Sequence, residues 1–399
     1  MRRGSADASP SRDSVEAGRR RTAPVPRTRD RCGEEEEDGP AVGRDDESAP
    51  GAAASAGADE SARERARRVR VTRRGLLIGG LAVVGLGAGA LVYRNIRRSA
   101  GPVGTWVSLS PIPAASVPSP LPPSPAAEAP GAETGMAVWA HADDDIIFAN
   151  PALSEAIGAG HTVRAVFITA GDAGKGADYA RQREAGIRAA YDEMRASTAP
   201  WQEQQITLLS GASVTRFVAS DEPRLSLTFL RLPDGGLDAE GFAATGNAGL
   251  TQLINGSAAT LTSVDGSTVY DLDRLSATIV ELIGAAQPTH VTTNVPHESA
   301  FAHGDHPDHS CVGSLVRALA PQAGIGPEAV TYYVGYPSQD EPANVEGAVL
   351  DTKVHIYETY AADDPVVTCA DAAACLSQRG FGEWLRRSYP KGESELRLS

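Results

Sequence analysis

The sequence predicts an α/β domain from two observations. Short apolar or β-branched runs alternate with helix-like stretches from about residue 135 to the C-terminus. Two clusters of His and Asp fall where such runs give way to turns, and open α/β sheets gather their chemical groups at strand ends. The span 135–399 is long enough for one such domain with a buried core.

Taken in order, Met136 to Ala140 (MAVWA) and Thr162 to Thr169 are apolar strands, and the glycine-rich turn Thr169 to Gly174 leads into a helix from Tyr179 to Arg195. Ile206 to Leu209 and Ser226 to Leu232 read as strands, the second closed by the turn Pro233-Asp234-Gly235-Gly236. A helix follows from Asp271 to Ala286, then a β-branched strand Thr289 to Thr293 and a helix Ser310 to Leu319. Val330 to Tyr336 is an aromatic strand, and Lys353 to Tyr360 and Phe381 to Arg387 are helices. No internal repeat is evident.

The two clusters are His141-Ala142-Asp143-Asp144-Asp145 and Asp305-His306-Pro307-Asp308-His309. Catalytic zinc takes imidazole and carboxylate ligands and keeps a position for water beside three protein groups. His141, Asp144 and His309 fit that count. Asp143 and His306 are then free to act as base and as acid or oxyanion stabiliser, a division of labour that suits a hydrolase. Iron or another divalent ion suits the same His, Asp, His set.

These residues resemble the signature of the PIG-L/LmbE-like zinc-dependent N-deacetylases, and the resemblance runs from about Gly135 to the C-terminus. It implies a Rossmann-like three-layer α/β fold with a mostly parallel sheet and an activity that removes acetyl groups from amino sugars. It implies His141, Asp144 and His309 as ligands and Asp143 as general base. A protonated His306 would polarise the tetrahedral intermediate, and the products would be acetate and a free amine. Ala142 and Asp145 depart from the commonest pattern, Pro after the first His and Glu after the Asp pair, which bears on the loop rather than the chemistry. Asn150-Pro151, Thr169 to Gly174, and the series Tyr179, Arg181, Arg183, Glu184 and Ala189-Ala190-Tyr191 resemble a branch that often carries export signals. Arg181, Arg183 and Glu184 are candidate substrate-binding residues, with a helix-surface ion pair as the alternative. His161, His297 and His303 read as turn or loop residues.

The front of the chain speaks to location. Residues 1–74 are polar, charged and nearly free of aromatics, a composition that does not bury enough apolar surface to offset ordering entropy. Residues 75–93 form an uncharged, largely apolar run preceded by Thr72-Arg73-Arg74-Gly75-Leu76-Leu77, which resembles the twin-arginine export signal of bacteria. The run is either cleaved at Ala88-Gly89-Ala90 or retained as a membrane anchor. Arginines are denser before it than after it, so the expected orientation puts the domain from 135 onward outside the cytoplasm. Residues 94–134, rich in Pro, Ala and Ser, read as a tether.

The formal charge of -14 argues against a nucleic-acid partner, which calls for a basic face. Of four cysteines, Cys32 falls in the polar head, Cys311 in a helix, and Cys369 and Cys375 are near enough to pair in an exported domain. Beside the exported sugar deacetylase stand two other readings: an amidase of the same family acting on another small amide, and a noncatalytic surface-binding domain. Binding alone would need neither Asp143 nor His306, which weighs against the last.

Overall fold

Strand β1, Thr134–Trp139, is buried on both faces, with Met136 and Val138 directed to one core and Ala137 and Trp139 to the other. That near-continuous apolar run is what a central parallel strand requires, because helices cover both of its sides. The computed structural model describes residues 109–113, 115–122 and 131–399.

Within them the chain runs β1, α1 (Ala152–Gly158), β2 (Thr162–Thr169), α2 (Ala177–Met194), β3 (Trp201–Thr207), β4 (Ser213–Ala219), β5 (Leu225–Leu232) and α3 (Leu250–Ile254). The small ribbon β6 (Leu261–Thr262) and β7 (Val269–Tyr270) precedes α4 (Leu272–Ala286), β8 (His290–Asn294), α5 (Pro307–Leu319) and β9 (Val330–Tyr333). Helices α6 (Gly347–Ala361), α7 (Ala372–Ser377) and α8 (Phe381–Leu385) and strand β10 (Pro390–Lys391) complete it. The main sheet has eight strands in the order β10-β9-β8-β1-β2-β5-β4-β3. β9, β8, β1, β2 and β5 are parallel, while β10, β4 and β3 pair antiparallel at the two flanks.

The sheet is mostly parallel and lies between two helical layers. On one face Leu275, Ile279 and Leu282 of α4 and Val312 and Leu315 of α5 complete a core; on the other, Ile187 and Tyr191 of α2 and Tyr357 and Tyr360 of α6 do so. The order reverses at β1, since the chain moves to β2 on one side and later returns to β8 on the other. A crevice opens beyond the carboxyl ends of strands at such a switch point, and the segments after β1, β2, β5, β8 and β9 all reach that rim.

Two expectations fail at the antiparallel flank. The strand expected at Ile206 to Leu209 is instead Trp201–Thr207, and Ser213–Ala219 is a strand that the sequence reading passed over. β3 is a polar edge strand (WQEQQIT) with exposed Gln202, Glu203 and Gln205, so it lacks the apolar run that marks a buried strand. The aromatic strand ends at Tyr333, and Tyr336 opens a 3-10 turn.

The twin-arginine-like motif, the apolar run 75–93 and Cys32 lie outside the described residues. Among the described residues, no helix is long and apolar enough to cross a membrane. Within the stretch read as a tether, Leu109 and Leu121 pack against the domain core and Ser119 Oγ donates to Glu281 Oε1 at 2.6 Å. That stretch therefore touches the domain rather than standing wholly clear of it.

Candidate active site

His141 leaves the end of β1 into a tight turn in which Asp144 Oδ2 accepts the His141 backbone N–H at 2.9 Å. His309 sits one turn into α5, whose start is set by Pro307 and by His306, whose Nδ1 accepts the Asp308 N–H at 3.1 Å. The capping role at the start of that helix thus falls to the His306 side chain.

The two segments bring three donor atoms together. His141 Nδ1 lies 3.2 Å from His309 Nε2, and Asp144 Oδ1 lies 3.0 Å from His309 Nε2 and 3.5 Å from His141 Nδ1. Ligands about 2.1 Å from one tetrahedral ion are spaced about 3.4 Å apart, so the triangle already has the dimensions of a metal site. The outward nitrogens each have a carboxylate nearby: His309 Nδ1 meets Asp305 Oδ1 at 2.8 Å, while His141 Nε2 stands 3.4 Å from Asp308 Oδ2 without a hydrogen bond. This carboxylate–histidine pairing turns the other ring nitrogen, with its lone pair, toward the ion. His141 Nε2, Asp305 Oδ2 and Asp308 Oδ1 are buried without a hydrogen-bond partner, an arrangement that is costly unless a positive charge stands at the centre. His141, Asp234, His306 and Asp308 form a second buried group of potential ligand atoms sharing His141.

Electrostatics follow the same geometry. Burial alone would lower His309, but Asp144 and Asp305 overcome it and lift the imidazole to about 9. Burial would likewise lower His141, yet Asp144 and Asp308 hold it well above its ordinary value. Asp144 is held well below the usual carboxylate range by His309 and His141 despite its burial. Such strong carboxylate–imidazolium pairing marks a place where a dication would take over the role of the protons.

Asp143 and His306 line the same cavity, of about 140 Å³, as His141 and Asp144. Burial raises the Asp143 carboxyl, partly offset by Arg183, whose Nη2 lies 2.5 Å from Asp143 Oδ1. His306 is pushed down to about 4 by burial and by His141. It is therefore neutral at pH 7, which corrects the expectation of a protonated imidazole. The cap hydrogen bond agrees, because an Nδ1 that accepts a backbone N–H carries no proton and leaves Nε2–H as the donor. Nε2 lies 3.8 Å from Asp234 Oδ1, on the cavity wall.

The three candidate substrate residues on α2 part company. Arg183 lines the cavity, donating from Nη1 to Gly171 O at 2.8 Å and from Nε to Tyr360 Oη at 2.7 Å, with Asp364 Oδ2 3.3 Å away. Arg181 is exposed and paired with Asp178, and Glu184 is bound by the Arg231 guanidinium at 2.6 and 2.7 Å; neither lines the cavity. The helical turn points Arg183 and its neighbours in different directions, which sequence spacing alone did not resolve.

Several residues of the site carried no assigned role in the sequence reading. Asp305 and Asp308 stood inside the recognised motif. Asp234 stood in the Pro-Asp-Gly-Gly turn, where a strand-end signal was available. Tyr336, Asp364, Val367 and Phe381 come from distant segments with no local mark. Cys369 and Cys375 form a disulfide beside the loop that delivers Asp364 and Val367, while Cys311 is buried near Thr251. Asp145, the departure from the usual Glu, is buried, accepts the Tyr191 hydroxyl at 2.7 Å, and is raised to about 7 by burial. It braces the turn against α2 rather than entering the cavity.

A buried His and Asp cluster thus stands at a strand-end crevice, beside a carboxylate and an imidazole, and could hold a metal ion. Residues 136–320 match the PIG-L family model, described as GlcNAc-PI de-N-acetylase, and this stretch is a domain of that deacetylase family. Solved structures similar to the chain include the conserved protein TT1542 from Thermus thermophilus, 17% identical over 65% of this chain and 93% of that one, with a TM-score of 0.35. N,N'-diacetylchitobiose deacetylase from Pyrococcus horikoshii is 13% identical over 66% of this chain and 83% of that one, with a TM-score of 0.34. The A40926 pseudoaglycone deacetylase Dbv21 is 14% identical over 57% and 80%, with a TM-score of 0.33. No curated protein sequence matches the chain.

Proposed function

We propose that this chain is a metal-dependent hydrolase that removes the acetyl group from an N-acetylated amino sugar or glycoconjugate. The observation that carries the reading is the convergence of His141 Nδ1, Asp144 Oδ1 and His309 Nε2 within 3.5 Å of one another, on a cavity that Asp143 and His306 also line. Two nitrogens and one carboxylate oxygen suit zinc, with iron or another divalent ion as the other occupants of the same donor set.

His141, Asp144 and His309 would hold the ion, which would supply Lewis acidity and lower the pKa of an attacking water. Asp143 would accept a proton from the attacking water, and Asp143 or His306 would then protonate the departing amine; Arg183, locked between Asp143, Gly171 and Tyr360, fixes the direction of the carboxylate. His306 Nε2–H, in the neutral tautomer enforced by its cap bond, donates to the carbonyl oxygen as negative charge builds there. Val367, Phe381 and Tyr336 supply apolar wall, while Asp234, Asp364 and Arg183 offer groups that hydrogen-bond a sugar's hydroxyls. Two features of residues 72–93 support action outside the cytoplasm: the Arg-Arg pair and the apolar run.

The experiment is acetate release from a panel of N-acetylated sugars with zinc supplied, comparing wild type with Asp143→Ala. The reading expects release that the substitution lowers by about 100-fold or more while bound metal persists. Undiminished release from Asp143→Ala would remove the assigned base. No release from any sugar by a metal-loaded wild type would move the reading to another small amide.

A further inference from the structure

The Arg183 guanidinium reaches Asp143 with Nη2 at 2.5 Å, and its other edge is held by residues that lie beyond the stretch 136–320 matched by the family model. Tyr360 stands in the last turn of α6 and Asp364 in the turn that follows it, one helical repeat on. Both are buried, and both meet Arg183 Nε: the Tyr360 hydroxyl accepts from it at 2.7 Å, and Asp364 Oδ2 lies 3.3 Å away.

The direction of these bonds is fixed by the proton count. A phenol has one proton to give, and Tyr360 gives it to Asp364 Oδ2 at 2.8 Å. A carboxylate only accepts, so the order does not reverse, and the hydroxyl lone pair is left facing the Arg183 Nε–H. Asp364 is itself anchored, because its Oδ1 accepts the Val366 and Val367 N–H groups at 2.8 and 3.2 Å, at the start of the loop that the Cys369–Cys375 disulfide closes.

The packing of the two helices serves the same contact. Gly186 lies one turn beyond Arg183 on α2, and a Cβ there would stand 2.6 Å from the Tyr360 carbonyl oxygen, so glycine lets α6 approach closely enough for Tyr360 to reach Arg183. Neutrality does not explain the arrangement, since Asp143 already supplies a counter-charge to the buried cation and Asp364 brings a second. Direction does explain it: a long arginine side chain has many rotamers, and fixing Nε leaves Nη2 one place to point.

We propose that Asp364 and Tyr360 are positioning residues for Asp143, acting as one unit through Arg183. The inference rests on the proposed role of Asp143 as base. It makes the segment after residue 320 part of the catalytic apparatus, with the disulfide-closed loop as the support of its outermost member.

The test uses the full-length, zinc-loaded chain with Tyr360→Phe, Asp364→Asn and the double variant. Each single change should lower kcat for acetate release about tenfold or more, with KM within about twofold and bound zinc unchanged. The double variant should be no slower than the worse single, because the two residues act through one contact. A second measurement needs no substrate: hydrogen exchange at Arg183 Nε, its NMR signal assigned by its loss in Arg183→Lys, should quicken about tenfold in each single variant. Should Asp364→Asn not fold, Tyr360→Phe, which removes one oxygen, carries both measurements. Unchanged kcat with unchanged exchange would overturn the proposal, as would a loss confined to KM, which would place Asp364 on the sugar, or a double variant whose loss is the product of the singles. A wild type that deacetylates no sugar would count against the proposed function alone, since the exchange rates decide the linkage to Arg183 without it.

Discussion

Replacing Asp305 strips the support from His309, one of the proposed metal ligands, without touching that side chain itself. Asp305 Oδ1 accepts from His309 Nδ1 at 2.8 Å, from the His306 N–H at 2.8 Å and from the Tyr336 N–H at 3.0 Å, all shielded from solvent. Asp305→Asn keeps an acceptor oxygen, so the Nδ1–H tautomer of His309 survives, but the charge that strengthens its Nε2 as a ligand is gone. The loss of such a partner costs about 10- to 100-fold in metal affinity, or about 1.4–2.8 kcal/mol. Asp305→Ala goes further, leaving three donors without their acceptor at about 1–3 kcal/mol apiece, so stability should fall by roughly 3 kcal/mol or more. Competition titration with a zinc chelator measures the first effect, and urea unfolding of the metal-free protein measures the second. At saturating zinc, kcat of Asp305→Asn should stay within about fivefold of wild type, because the base and the oxyanion donor are untouched. A zinc affinity within about twofold of wild type in both variants would refute the view that Asp305 orients His309.

Lys353 is buried and donates to Arg387 O at 2.7 Å, and burial pulls it down to about 7. Between that value and its ordinary one the unfolded chain binds a proton that the folded chain does not, so the group's contribution to stability rises with pH over this window. Lys353→Met should therefore be more stable than wild type at pH 7, by a few kcal/mol less about 1 for the lost hydrogen bond, with the gap closing toward about pH 10. A gap independent of pH in paired urea titrations would contradict this. Gly171 has φ +53°, and a Cβ there would stand 1.9 Å from Arg183 Nη1. Gly171→Ala should displace Arg183 from Asp143, lowering kcat about tenfold or more and stability by about 1–3 kcal/mol; kinetics and Tm near wild type would count against the Arg183 clamp.

The parts legible in sequence were those with a short-range signature. β1, β2 and β5 announced themselves as apolar runs, and α4 and α5 as periodic helices with an Asp271 cap and a Pro307 start. The edge strands β3 and β4 did not, because Trp201–Thr207 is half-exposed and owes its strand state to pairing with Ser213–Ala219. At the site, the two motifs named the His and Asp residues that cluster in the structure, and Arg183 was singled out beside Arg181 and Glu184 without means to separate the three.

What the sequence by itself determined is the inventory of the chemistry and its place at strand ends, since residue type, strand pattern and turn residues are local properties. The tertiary structure alone decided that His141 and His309, 168 positions apart, come within 3.2 Å of each other. It alone turned Arg183 inward and Arg181 outward, made His306 a neutral donor, and brought Asp364 and Phe381 to the cavity. The reason is physical. Burial, tautomer and ion-pair choice depend on which distant atoms exclude water, and that is settled only when the helical layers close over the two faces of the sheet.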